Sequence, residues 1–138
     1  MLRKRNFIRA SVRFYLDKDI PSIGSELYHV GSLRGQMGAN SLTTGIISQT
    51  GRILVKKVFD QTSVTAVGGS SGGGVFLKDG RYIGMLVRGS GETFNFIVPM
   101  RRIQEFVKRN KLEWAVNSEA PLPTEHEIDR IPIEDNET

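Results

Sequence analysis

Short apolar stretches with a period of two run through most of the chain, and this pattern predicts an antiparallel β protein. Alternation over Ala10–Leu16 predicts a first strand, and the residues at 17–21 predict a turn. Glu26–Val30 predicts a second strand, which ends at a loop with glycines at every third or fourth position. The remaining predicted strands are Leu42–Ser48, Arg52–Phe59, Val75–Leu77, Arg81–Val87 and Phe94–Val98.

Two of the connections carry recognisable turn signals. Gly51 is predicted to separate two strands, and Lys78-Asp79-Gly80 is a three-residue connection with the Asp-Gly signal of a hairpin. The period then changes to helical spacing, which predicts one helix over Met100–Asn110. Strands closed by one helix predict an all-β fold, a small antiparallel barrel over 1–116, and the Pro- and Glu-containing stretch 117–138 is predicted to be an extended acidic tail.

Composition places the chain among ordinary soluble globular proteins. Of its 138 residues, 38% are hydrophobic and 25% are charged, and no apolar run is long enough to span a membrane. The chain has no cysteine, which excludes a disulfide framework, a cysteine zinc site and a thiol nucleophile. The basic N-terminus lacks the apolar segment of a secretory signal, so we expect a cytoplasmic or virion-associated protein without a membrane partner.

The net charge of +4 conceals two regions of opposite sign. Residues 117–138 contain seven acidic residues and one basic residue, a net charge of −6, whereas the other 116 residues carry +10. A basic body can attract nucleic acid, with binding that depends steeply on salt. Its basic residues are scattered, however, without the interleaved aromatic residues of a stacking platform, so a nucleic-acid partner is not expected.

The most informative segment is Gly68–Gly74, which contains five glycines and two serines. Such a loop turns tightly and lets a ligand approach the backbone. A phosphate-binding loop would need a helix and a lysine directly after it, and neither follows. The G-x-S-x-G elbow of α/β hydrolases matches the letters but needs a strand before it and a helix after it, in an alternating α/β chain. This chain is predicted to be nearly all strand, so it does not meet that requirement. The alternative that stays open is a glycine-rich hairpin loop whose serine has no catalytic role.

The segment Gly69-Ser70-Ser71-Gly72-Gly73 resembles the Gly-Asp/Asn-Ser-Gly-Gly signature of the trypsin/chymotrypsin-like serine proteases. The resemblance extends over about residues 24–112 and is to cysteine-free bacterial and viral members of that superfamily. The other segments that carry it are Val30-Gly31 with Leu42–Ser48, Gln61-Thr62, Arg81–Leu86, Val87–Gly91 and Phe94–Pro99. The resemblance implies the second six-stranded antiparallel barrel of such a protease.

By this resemblance the chemistry is peptide-bond hydrolysis through an acyl-enzyme. Ser71 would be the nucleophile, and the backbone amides of Gly69 and Ser71 would form the oxyanion hole. The residues that would bind the polypeptide substrate are Thr65 and Ala66 at the base of the specificity pocket and Val87, Arg88 and Gly89 beside it. Because Thr65 and Ala66 are uncharged, we expect cleavage after a small or medium apolar residue. No cofactor or metal is implied.

The catalytic histidine and aspartate of the superfamily have no counterpart in the matching segments. His29 is expected to be a structural or strand-surface residue, His126 a solvated one, and Asp17 and Asp19 turn formers. The aspartate of the triad would fall just before Met1, so a partner chain or a preceding segment is expected to supply both groups. The apolar face that normally packs on the first barrel is then an expected association surface.

Ser70 is a second departure, since the superfamily usually has Asp or Asn at this position. These departures leave an alternative function open, namely a catalytically inactive protease-derived barrel that serves a larger assembly, such as a viral one, as a structural or peptide-binding module.

Overall fold

A computed structural model describes residues 11–87, 89 and 93–131. Within these residues the backbone forms six β-strands, two α-helices and two single-turn 3₁₀ helices. The strands are β1 (Glu26–Leu33), β2 (Gly38–Leu54), β3 (Lys57–Thr62), β4 (Gly74–Leu77), β5 (Tyr82–Val87) and β6 (Asn95–Pro99). The helices are α1 (Met100–Arg109) and α2 (Glu125–Asp129), and the 3₁₀ turns are Gly35–Met37 and Glu113–Ala115.

The six strands close into an antiparallel barrel in the order β1-β2-β3-β6-β5-β4, and β4 pairs back onto β1. The all-β barrel predicted from the sequence is therefore confirmed. Its interior is filled by aliphatic side chains from these strands and from the segment after β3. The members of this core are Leu27, Ile47, Val64, Val75, Ile83, Leu86 and Ile97.

The predicted strand over Ala10–Leu16 is wrong where the structure describes it; Ala10 lies outside the described residues. The segment is extended, and its one β contact is a parallel bridge between Phe14 and Tyr82. The Tyr15 amide donates to the Tyr82 carbonyl, and the Tyr82 amide donates to the Arg13 carbonyl. Pairing of β5 with β6 begins only two residues further on, so Tyr82 offers free backbone groups for a single bridge.

The predicted break between two strands at Gly51 is also wrong. Gly51 lies inside β2 with a φ of 70°, at a shift in the register between β2 and β3. The chain reverses four residues later, at Val55 and Lys56, so the predicted strand Arg52–Phe59 is a hairpin that contains the turn. The sequence predicted the turn at the wrong position, because the glycine at 51 is a turn signal and neither Val55 nor Lys56 is one.

The second half of the barrel follows the prediction closely. The hairpin around Lys78-Asp79-Gly80, the strand before Pro99 and the helix after it are confirmed, with ends shifted by one residue. Pro99 is the last residue of β6 and directly precedes α1, where its missing N–H leaves no donor unpaired.

The tail contains helical structure that an extended segment would not have. The Thr124 hydroxyl accepts from the Glu127 amide, and the Glu127 carboxylate accepts from the Thr124 amide, so a capping box starts α2. In the part of the chain that the structure describes, no helix has the length and apolar character to cross a bilayer.

Candidate active site

The glycine-rich segment forms a tight loop between β4 and the segment that follows β3. Ser70 is fully buried in this loop, whereas Ser71 and Gly72 are exposed. The Ser70 amide donates to the Val67 carbonyl at 2.9 Å, and the Ser70 hydroxyl accepts from the Val67 amide at 3.2 Å. A serine side chain thus closes the loop from inside, and Ser71 is left at its exposed apex.

Backbone hydrogen bonds fix the loop to two neighbouring segments. The Gly72 amide donates to the Leu86 carbonyl at 2.8 Å, and the Leu86 amide donates to the Gly73 carbonyl at 2.9 Å. On the other side, the Arg34 amide donates to the Gly68 carbonyl at 2.7 Å. The position of Ser71 is therefore set by β5 and by the turn after β1.

Three amides in this loop have no acceptor among the described residues. The amides of Ser70, Gly72 and Gly73 all donate to backbone carbonyls, but those of Gly68, Gly69 and Ser71 make no hydrogen bond with any described residue. Gly69 has a φ of 94°, and a Cβ there would collide with the Ser32 carbonyl. Only glycine fits the backbone at this position. The amides of Gly69 and Ser71, on either side of Ser70, are available to a ligand.

His29 lies inside the barrel beneath this loop, so its expected place as a structural residue is confirmed and the strand-surface alternative is wrong. The side chain is fully buried, and its Nδ1 lies 3.2 Å from the Thr43 hydroxyl, its register partner on β2. Burial lowers the pKa of His29, and the nearby Ser70 carbonyl opposes that shift. His29 makes no hydrogen bond to the exposed Ser71 and is not placed to take its proton.

The other candidate acid and base side chains lie in separate contacts. Asp17 pairs with Arg81 at 2.8 Å, and the Asp19 carbonyl accepts from the Tyr15 hydroxyl. His126 is exposed on α2. Among the described residues, no imidazole or carboxylate is hydrogen-bonded to the Ser71 hydroxyl.

The residues expected to bind substrate come from two segments. The side chain of Asn95 is hydrogen-bonded next to one segment and lies close to the other. Thr65 and Ala66 are half-buried directly after Val64, whose carbonyl accepts from the Asn95 side-chain amide at 2.8 Å. A Cβ on Gly89 would lie 2.6 Å from Asn95 Oδ1 and would collide with the Phe94 carbonyl, so the backbone packs closely here.

Val87 ends β5 and is half-buried, and Arg88 lies outside the described residues. Asn95 was not singled out from the sequence. Its only signal was a polar residue inside an apolar strand.

These features coincide with a known family. Residues 11–85 match the family model of the trypsin-like peptidase domain. The chain belongs to the trypsin-like peptidase family. No curated protein sequence matches the chain significantly.

Solved structures of two proteases share the fold. A serine endoprotease from Yersinia pestis superposes with a TM-score of 0.61 at 25% identity, over 74% of this chain and 35% of that one. An HtrA-type protease, solved with a tripeptide, superposes with a TM-score of 0.61 at 23% identity, over 77% of this chain and 37% of that one. The chain therefore spans about a third of the length of these proteases.

Proposed function

We propose that this trypsin-like peptidase chain is the nucleophile-bearing half of a serine endopeptidase, with Ser71 as its nucleophile. The observation that carries the proposal is the selective pattern of hydrogen bonds in the loop. Ser71 is exposed, and the amides of Gly69 and Ser71, like that of the exposed Gly68, make no hydrogen bond with a described residue, whereas those of Ser70, Gly72 and Gly73 donate to backbone carbonyls. Gly69 and Ser71 flank the buried Ser70, and their two donors are available to a ligand.

The chemistry follows from these groups. A base takes the proton of the Ser71 hydroxyl as its oxygen attacks the carbonyl carbon of the substrate peptide bond. The carbonyl oxygen becomes an oxyanion, which the Gly69 and Ser71 amides stabilise. The amine product then leaves with the proton, and water hydrolyses the resulting ester in the same way. Loss of one such donor typically lowers the rate about 10²–10³-fold.

A second polypeptide segment or chain would supply the base and the acid that orients it. Val30 and Leu42 support this part of the proposal. They are register partners on β1 and β2, and their apolar side chains are 42% and 61% exposed. Val30 also pairs with Gly74 at the end of the serine loop, so a segment covering this pair would lie beside Ser71.

The substrate is a polypeptide with a small or medium apolar residue before the cleaved bond. Thr65 and Ala66 would form the base of the pocket for that residue, and neither carries the negative charge that a lysine or arginine side chain requires. Val87 to Gly89 would pair with the substrate backbone. Asn95 supports both segments through its position between Val64 and Gly89.

The alternative is a catalytically inactive barrel that binds peptides or serves an assembly. The lack of a base bonded to the Ser71 hydroxyl among the described residues favours it. The two functions differ in one measurable property, which is the reactivity of Ser71 in the natively isolated protein.

The test is labelling with a fluorophosphonate, followed by intact-mass spectrometry of the natively isolated protein with its bound companions. We expect one adduct on Ser71, faster labelling by a probe with a valine side chain than by one with arginine, and no adduct on the Ser71→Ala variant. Ser70→Ala is the matched control. Because Ser70 is buried, its own hydroxyl should never be labelled, and a variant that retains the loop should still label at Ser71. A natively isolated protein that never labels would favour the inactive barrel.

A further inference from the structure

The imidazole of His29 lies between two glycines directly beneath the serine loop. A Cβ on Gly31 would lie 2.6 Å from its Cε1 and 2.7 Å from its Nε2, and a Cβ on Gly73 would collide with Nε2. One of these glycines is on the same strand as His29 and the other is in the loop. The ring therefore fills space that exists only because both residues lack a side chain.

The two ring nitrogens have different surroundings. Nδ1 faces the Thr43 hydroxyl, whereas Nε2 is buried with no hydrogen-bond partner among the described residues. Two carbonyls lie on that side, because a Cβ on Gly73 would touch Nε2 and would also meet the Val30 carbonyl at 2.9 Å and the Ser70 carbonyl at 3.0 Å. Of the two, the Ser70 carbonyl is the one that acts on the ring as a hydrogen-bond acceptor and raises the pKa of His29 against the effect of burial. A nitrogen lone pair facing a carbonyl oxygen in a dry interior would set two acceptors against each other.

That carbonyl belongs to the peptide group that holds the Ser71 amide. The peptide is trans, so its C=O and N–H point in opposite directions. The Gly73 amide already donates to the Ser70 carbonyl from inside the loop at 3.1 Å. A second donor on the same inner side would hold the carbonyl inward, and the Ser71 N–H would then be held outward.

We propose that His29 is a positioning residue for the oxyanion hole. In its neutral form the Thr43 hydroxyl donates to Nδ1, and Nε2–H donates to the Ser70 carbonyl. A small closure of the loop onto the ring completes this bond, which fixes the Ser70–Ser71 peptide with the Ser71 N–H directed at the substrate. The role of the oxyanion hole rests on the proposed function, but the tautomer and the bond do not.

The first measurement is the tautomer of His29 in the full chain, read from long-range ¹⁵N–¹H spectra, with His126→Gln to assign the two histidines. We expect the proton on Nε2 and a coupling from it to the Ser70 carbonyl carbon. A proton on Nδ1 would overturn the proposal. Because this is read on the unaltered chain, the proposal stays decidable even if a variant does not fold.

The second measurement compares His29→Gln, which keeps an N–H at a similar reach, with His29→Leu, which removes it. The probe is an acetylated tetra-alanine peptide with a free carboxylate, one oxygen of which can occupy the oxyanion site. We expect His29→Leu to shift the Ser71 amide signal and to weaken peptide binding about tenfold, as loss of one positioned hydrogen bond would do. His29→Gln should restore both. Equal behaviour of the two variants would contradict the positioning role.

The same titration separates this inference from the proposed function. A peptide that moves neither the Gly69 nor the Ser71 amide signal of the unaltered chain would count against the oxyanion hole, and so against the proposed function. The tautomer would still decide whether His29 holds the loop.

Discussion

His29 and His126 are the two histidines of the chain, and they lie in different surroundings. His29 is fully buried, and burial lowers its pKa below the ordinary value of 6.5. His126 is exposed on α2. Protonation of His29 is therefore linked to unfolding.

The sign of this linkage follows from the direction of the shift. Since the folded-state pKa of His29 lies below its unfolded-state value, the unfolded chain binds the proton more readily. The stability associated with neutral His29 is fully present above the unfolded pKa of about 6.5 and is lost as the pH falls towards the folded value. We expect the urea concentration at the unfolding midpoint to decrease when the pH is lowered from 7.5 to 5.5.

His29→Gln should reduce this decrease, and the variant of the other histidine, His126→Gln, is the matched control. Urea unfolding of the three proteins at both pH values checks the prediction. A pH dependence that is the same in all three would show that other groups cause it.

The sequence could suggest Ser71 and Gly69 as candidates, but not the buried residues around them. Both belong to a local motif whose letters could be compared directly with those of a family. His29 could not be found in this way, because its role depends on a loop more than 40 residues away and on two glycines that make room for it. Asn95 depends likewise on its distance from Val64 in the fold.

At the scale of elements, the β2–β3 hairpin shows why its turn was misplaced. Val55 and Lys56 have φ values of 48° and 60°, a left-handed conformation that glycine and asparagine adopt at lower cost. A β-branched side chain such as that of Val55 is among the least suited to it. The register Leu54–Lys57 nevertheless forces a two-residue turn. Pairing along a long hairpin therefore overrides the local preference.

The sequence Asn-Gly should relieve this strain. We expect the double variant Val55→Asn, Lys56→Gly to raise the free energy of unfolding by about 1 kcal/mol, since left-handed backbone costs roughly 1–2 kcal/mol for a side chain with a Cβ. Ile53→Asn is the control, because Ile53 is 65% exposed nearby but has no positive φ. It should not stabilise the protein. Chemical unfolding of both variants at neutral pH checks the prediction.

The barrel strands and the closing helix could be predicted approximately because each hairpin buries one face and alternates accordingly. The same pattern also predicted a strand over Ala10–Leu16 that the described residues do not form. Positions such as Gly51 could not be placed. A glycine with a positive φ marks a reversal in one context and a bulge in another, and only the pairing with β3 distinguishes them. The short helix α2 was missed although Thr124 and Glu127 have the spacing of a capping box, because the surrounding composition is typical of an extended chain.

At the scale of the whole molecule, one ion pair joins the helix to the barrel. Asp60 on β3 is 3% exposed, and both of its oxygens accept from Arg101 of α1 at 2.6 Å. The Gly51 amide donates to the same carboxylate at 2.9 Å, so the bulge in β2, the strand β3 and α1 meet at one group.

Removal of the cation should therefore weaken the entire fold. Arg101→Met would leave a buried carboxylate without its counter-charge, and we expect a loss of about 3–5 kcal/mol in the free energy of unfolding. Lys78→Met is the control, since Lys78 and Glu26 form an exposed pair at 3.9 Å that should contribute less than about 1 kcal/mol. Thermal and urea unfolding compare the two. Equal, small losses would show that the Asp60 contact is dispensable.

The packing of His29 between Gly31 and Gly73 restricts the order in which mutations can accumulate. An alanine at Gly31 would collide with the imidazole while His29 is present, but it would have room once a small residue replaces the histidine, because the imidazole makes all of the closest contacts there. An alanine at Gly73 would also meet the Val30 carbonyl at 2.9 Å, so loss of the ring alone would not make room for it. Gly31 and His29 are thus epistatic. A lineage that carries this histidine can change Gly31 only after losing the ring, and one that already has alanine at position 31 cannot acquire the histidine in a single step.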